Sequence, residues 1–120
     1  MTIEQCYALM GSDYTDVLNR LRSERLVQKF VLKFLDDKSY ELLCTSMETG
    51  NNEDAFRAAH TINGMCQNLG LTVLMRSSSE LTESLRNGPT PESGPLFEQV
   101  KADYAMTAEA IKAYKDSLEA

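Results

Sequence analysis

One histidine and one glycine mark the place where this chain is best suited to chemistry. The stretch AFRAAHTINGMCQNLGL, from Ala55 to Leu71, contains His60, the single histidine of the 120 residues. Gly64 follows one helical turn later, although a glycine inside a helix costs about 1 kcal/mol relative to alanine. A solvent-facing imidazole is a nucleophile that can accept and hold a phosphoryl group. The pair His60 and Gly64 is therefore the first candidate for a functional site.

Helical periodicity divides this stretch into a core face and an outer face. At about 100° per residue, a stripe of small and apolar residues falls opposite His60, namely Ala55, Ala59, Ile62, Cys66 and Leu69. The residues around His60 are Phe56, Arg57, Asn63, Gly64 and Gln67. The pattern predicts that the imidazole points to solvent or to a partner and that Gly64 leaves room for another molecule beside the ring. Asn63, Gln67 and Arg57 would then donate hydrogen bonds to the oxygens of an anion.

The residues alone leave other interpretations of this face open. A lone helical histidine is often an ordinary surface residue, and a glycine inside a helix can be accidental. Phe56 would either offer an apolar contact to a partner or tuck between helices. The same face would also suit a helical adaptor that binds another protein without chemistry.

Composition excludes several functions. The net charge of −6 and the pI of about 4.7 argue against nucleic-acid binding, which requires a basic face. No apolar run of about 18 residues predicts a membrane span, and no secretory signal is visible, so we expect a cytoplasmic protein. The chain lacks a nucleotide-binding glycine-rich loop and any metal-binding spacing. The cysteines Cys6, Cys44 and Cys66 fall at apolar helical positions, which predicts buried free thiols.

The positions that carry the chemistry belong to a chain that is predicted to be helical throughout. Helix starts are predicted at Thr2, Ser23, Asn51 or Asn52, and Thr72, and stops at Gly50 and Gly70. The broad apolar stripe from Leu26 to Leu35 suggests burial on more than one side, and Pro89–Pro95 is predicted to form the turn before the last helix. We predict a single domain over residues 1–120. Its fold class is all-α, an up-and-down antiparallel four-helix bundle with additional short N-terminal helices.

The stretch AHTINGMCQNLGL resembles the signature of histidine-containing phosphotransfer (HPt) domains. That signature begins with Ala-His, any residue, an aliphatic residue, Lys and Gly. Shortly afterward it has a small or polar residue, an apolar residue and a second Gly. The matching residues here are Ala59, His60, Ile62, Gly64, Asn68, Leu69 and Gly70. The segment SELTESLRNG, Ser79–Gly88, is similar to the next helix of the family, and the segments ALMGSDYTDVLNRL and FVLKFLDDKSYELL are similar to stand-alone bacterial members.

The resemblance implies a phosphocarrier and not an enzyme. His60 would accept a phosphoryl group from the aspartyl phosphate of a receiver domain and pass it to another. The partners would be response-regulator receiver domains, a hybrid histidine kinase, or both. The receiver would bring the Mg²⁺, so that this chain needs no cofactor and no metal of its own. The resemblance also favours a monomer.

One residue departs from the family signature. The family usually has lysine three residues after the histidine, where this chain has Asn63. Lysine offers a positive charge to a phosphoryl group, whereas asparagine offers a neutral amide. Arg57, on the same face, is predicted to compensate in part. The alternative function is a non-catalytic adaptor that binds a receiver or kinase domain through the His60 face.

Overall fold

The computed structural model describes residues 1–119, and over these residues the chain is a set of seven α-helices without a β-strand. The helices are α1 (Ile3–Leu9), α2 (Tyr14–Leu21), α3 (Glu24–Phe34), α4 (Ser39–Thr49), α5 (Asn52–Leu69), α6 (Thr72–Leu85) and α7 (Ser93–Glu119). This confirms the prediction of an all-α fold. Within the same residues no helix combines the length and the apolarity that crossing a bilayer requires.

Most of the helix boundaries follow from local side-chain chemistry. Thr2 and Gln5 form the predicted capping box at the start of α1, and Ser23 and Asn51 accept hydrogen bonds from backbone N–H groups at the starts of α3 and α5. Gly50 and Gly70 end α4 and α5 with φ angles of 74° and 68°. Such left-handed conformations suit glycine because it has no Cβ.

Two boundaries differ from the sequence prediction. Thr72 is the first residue of α6 and not its cap; its backbone N–H donates to the hydroxyl of Ser12 at 3.0 Å. The group that satisfies this helix start therefore comes from a distant part of the chain. The turn before α7 is also shorter than predicted, because the helix begins at Ser93 and includes Pro95 in its first turn. Proline is tolerated there since the first-turn N–H groups have no intrahelical acceptor.

The four helices α4 to α7 form the bundle that contains the candidate site. Helix α5 packs between α4 and α6, and α6 packs against α7. Tyr40 of α4 stacks on Tyr104 of α7, with the ring centroids 3.8 Å apart. One continuous cluster of buried apolar side chains runs through these helices and α1 to α3.

Helices α1 to α3 cover the bundle, and α3 does so with one face only. Val27, Val31 and Phe34 of α3 are buried, but Leu26 and Phe30 are 40% and 39% exposed. The prediction that this apolar stripe is buried on more than one side is therefore wrong. Helix α3 packs on α2, α5 and α7, and no further element lies over its outer face among residues 1–119.

Candidate functional site

Helix α5 carries the candidate site and is fixed at both ends. At its start, the side-chain amide of Asn52 donates to the backbone carbonyl of Leu85 at 3.0 Å, which links α5 to the end of α6. At its end, the buried hydroxyl of Tyr7 donates to the carbonyl of Leu69 at 2.6 Å. The guanidinium of Arg20 donates to the carbonyl of Gln67. These donors satisfy carbonyls of the last turn, which lack intrahelical partners.

The structure confirms the two faces of α5 that the periodicity predicts. All five residues of the predicted core stripe are buried, and Ala58 joins them. His60 is exposed near the middle of the helix. Burial of one face therefore orients the imidazole away from the core.

Gly64 lies in open space one turn after His60. A Cβ at this position would meet no heavy atom outside the helix itself within 4 Å. The packing of the bundle therefore does not require a glycine here. The absence of a side chain instead leaves the surface beside the imidazole open to another molecule.

Asn63 is turned toward α6 and not toward the space beside His60. Its amide donates to the backbone carbonyl of Met75 at 2.8 Å and to the hydroxyl of Ser78 at 3.3 Å. Its Oδ1 accepts a hydrogen bond from the amide of Gln67 at 2.6 Å. Because an asparagine amide has two hydrogens, both donors of Asn63 are used within the bundle. Of the two predicted amide donors, only Gln67 keeps a free hydrogen for a ligand.

Arg57 is held on the side of His60 that lies toward the start of α5. Its guanidinium is 3.4 Å from a carboxylate oxygen of Glu53 and 3.6 Å from one of Asp54. The arginine side chain is 64% exposed. Such exposed ion pairs contribute at most about 1 kcal/mol, so they bias the position of Arg57 without fixing it.

Phe56 connects His60 to Arg86, the residue that follows α6. Its half-buried ring meets the imidazole edge-on, with the centroids 6.1 Å apart and the planes at 80°. The guanidinium carbon of Arg86 lies 5.2 Å from the centroid of the same ring, a distance typical of a cation–π contact. Phe56 thus combines both interpretations left open by the sequence, since it packs against the core and also borders the exposed site.

Arg86 is the residue near the site that the sequence did not single out. It follows α6, and its guanidinium donates to both carboxylate oxygens of Glu83, at 3.1 and 2.6 Å. This pairing lowers the pKa of Glu83 and raises that of Arg86. The sequence shows a basic residue near the end of the segment Ser79–Gly88. Its proximity to Phe56 could not be read from the sequence, because it depends on the register between α5 and α6.

Neither a cluster of metal ligands nor a buried thiol with a lowered pKa occurs among residues 1–119. Within residues 1–119, no group of three His, Cys, Asp or Glu side chains is arranged to hold a metal ion. The three cysteines are free, with Cys6 and Cys66 buried and Cys44 half-buried. Burial raises the pKa of Cys6 to about 11 and that of Cys66 to about 12. The two buried thiols are therefore protonated and unreactive near neutral pH.

Comparison with known proteins identifies the family. The family model described as "Hpt domain" matches residues 15–111, which include α3 to α6 and most of α2 and α7. No curated protein and no solved structure matched the chain. Hpt domains are phosphocarriers that interact with receiver domains and kinases in two-component signalling. Since the match covers far more than half of the 120 residues, this chain belongs to the Hpt domain family.

Proposed function

We propose that this protein is a phosphorelay intermediate whose phosphorylated residue is His60. It accepts a phosphoryl group from the aspartyl phosphate of a receiver domain and passes it to a second receiver. The observation that carries the proposal is the position of the single histidine, exposed in the middle of α5 beside the open space at Gly64. A receiver or a hybrid kinase would be the donor, and the protein would act as a cytoplasmic monomer.

The transfer step needs a nucleophile, an approach path and little else from this chain. A neutral imidazole nitrogen of His60 bonds to phosphorus while the bond from phosphorus to the aspartate oxygen breaks, and the aspartate carboxylate is released. The Mg²⁺ that assists this step would belong to the receiver domain and not to this chain.

The surroundings of His60 suit a chain that supplies the nucleophile and leaves Mg²⁺ to the receiver domain. Burial of the opposite face and the contacts at both ends of α5 hold the imidazole in a defined place, which reduces the entropy lost when the reactants align. Gly64 admits the partner, and Phe56 offers it an apolar contact. Gln67 has one free amide hydrogen for a phosphoryl oxygen, and Arg57 supplies positive charge one turn away.

The direct test is phosphorylation by a receiver domain. Wild type and His60→Gln are incubated with several phosphorylated receivers and Mg²⁺, and acid-labile, base-stable phosphate is followed on this chain. We expect label on the wild type and none on His60→Gln, with the same circular dichroism spectrum for both. Label on both chains would show that another residue is phosphorylated. No label from any receiver would instead favour the adaptor function, in which His60→Gln retains partner binding.

A further inference from the structure

A phosphoryl group on His60 would bring about two negative charges to an exposed helix face at neutral pH. A nearby cation would stabilise this charge, and the sequence position three residues after the histidine does not supply one. Asn63 is neutral, and both of its amide hydrogens are donated to α6. The question is therefore which basic side chain of this chain reaches the phosphoryl group.

The direction in which helical side chains lean selects among the candidates. Side chains lean toward the N-terminus of their own helix, so His60 leans toward Phe56, as the edge-on contact between the rings shows. Helices α5 and α6 run antiparallel, because Asn52 bonds to Leu85 and Asn63 to Met75. A basic residue near the end of α6 therefore leans back toward the level of His60.

Arg86 meets this condition, and the other basic residues near the site do not. Its guanidinium lies over the ring of Phe56, the same ring that the imidazole of His60 contacts. Arg76, on the exposed side of α6, starts near the level of His60 and leans away from it, toward the end of α5. Arg57 is on the same helix as His60 and leans in the same direction, so its guanidinium stays one turn nearer the start of α5, beside Glu53 and Asp54.

We propose that Arg86 binds the phosphoryl group on His60 and that Arg86 is paired with Glu83 as long as His60 is unphosphorylated. This inference rests on the proposed function, since it concerns the phosphorylated state of His60. On phosphorylation, the guanidinium exchanges the carboxylate of Glu83 for the phosphoryl oxygens. No covalent bond forms or breaks in this exchange. Phe56 keeps the guanidinium over the site in both states.

The exchange is feasible because the existing ion pair is exposed. The side chains of Arg86 and Glu83 are 51% and 64% exposed, and such pairs are weak in water. A phosphoryl group carries more charge than a carboxylate and offers three acceptor oxygens. Arginine can therefore form a two-pronged contact to it at least as strong as the one it gives up.

The exchange predicts how long the phosphohistidine survives. Hydrolysis bonds a water oxygen to phosphorus, breaks the bond between phosphorus and nitrogen, and requires the imidazole to take up a proton as it leaves. A guanidinium at the phosphoryl group disfavours that protonation. Arg86→Gln should therefore shorten the lifetime about threefold, and Glu83→Gln, which releases Arg86, should lengthen it by about the same factor, as expected for exposed charges.

The test uses phosphoramidate, a small donor that phosphorylates imidazoles directly with release of ammonia, together with the full chain. Hydrolysis of the phosphohistidine is timed in wild type, Arg86→Gln, Glu83→Gln and the double variant. Removing Glu83 also removes a negative charge, which would lengthen the lifetime with or without Arg86. The proposal requires that Glu83→Gln lose most of its effect in the Arg86→Gln background, a coupling that a double-mutant cycle measures.

Two further variants serve as matched controls, Arg76→Gln and Glu80→Gln, which remove the same charges from the exposed side of α6. We expect both to hydrolyse at the wild-type rate and all variants to unfold at similar urea concentrations. The inference would be overturned if Arg86→Gln left the lifetime unchanged. It would also be overturned if Glu83→Gln had its full effect in the double variant. Either result would leave the proposed function standing. A chain that neither phosphoramidate nor any receiver labels would overturn the proposed function and this inference with it.

Discussion

Replacement of Gly64 by alanine should stabilise the fold and impair phosphotransfer at the same time. In the middle of a helix, alanine is favoured over glycine by about 1 kcal/mol, and the added Cβ would meet no neighbouring atom within 4 Å. The full propensity gain should therefore appear in the free energy of unfolding. For a domain of this size the entropy of unfolding is about 0.25 kcal/mol per degree, so the melting temperature should rise by about 4 °C.

The same methyl group stands one turn from the imidazole, where the partner has to approach. Displacing reacting groups by about an ångström can reduce a rate by up to about a hundredfold. We expect the rate of phosphoryl transfer from a receiver to fall by at least about tenfold. The assay is a quenched time course of label transfer with the Gly64→Ala variant, together with thermal unfolding followed by circular dichroism.

Gly50→Ala is the matched control for the stability measurement. A Cβ at Gly50 would also meet no atom within 4 Å, but the residue has a φ of 74°, which an alanine adopts only with strain. This variant should lose stability and transfer at the normal rate. If Gly64→Ala were destabilised like Gly50→Ala, or transferred at the wild-type rate, the argument that Gly64 serves the approach of a partner would be refuted.

Two further predictions concern the framework of the site. Asn63→Ala should lower the free energy of unfolding, measured by urea titration, by about 1 kcal/mol, because it removes the hydrogen bonds to α6. The higher helix propensity of alanine offsets only part of that loss. Unchanged stability would show that the bonds to Met75 and Ser78 contribute nothing. Burial raises the pKa of the Cys66 thiol from 9.0 to about 12, so the unfolded chain releases this proton at lower pH than the folded chain. The free energy of unfolding should therefore fall between about pH 9 and 12, with this thiol contributing at most about 1.4 kcal/mol per pH unit. It should fall less steeply with pH in Cys66→Ala. The same dependence on pH in both proteins would contradict the assignment to Cys66.

Features that depend on a single helix could be predicted from the sequence. The two faces of α5 follow from its periodicity alone, because burial of one stripe turns His60 outward. Helix ends at Gly50 and Gly70 were predictable for a similar reason, since a glycine adopts the left-handed conformation because it lacks a Cβ, a property of the residue itself.

Features that depend on the register between helices could not be predicted. The amide of Asn63 bonds to α6 because Met75 and Ser78 lie at its level, and nothing near Asn63 in the sequence indicates this. Arg86 reaches the ring of Phe56 for the same reason. Thr72 was expected to cap α6, but its N–H bonds to Ser12, some 60 residues away. Single-helix patterns contain no information about such partners.

The segment that matches the family is shorter than the set of helices that pack together. The family match begins at residue 15, yet α1 precedes it and packs on α7. Tyr7 of α1 binds the last turn of α5, and Tyr114, beyond the other end of the match, is buried as well. A chain shortened to the matched residues would lose the Tyr7 donor and uncover part of the α7 surface. Module boundaries drawn from family similarity would therefore cut through a continuous hydrophobic core.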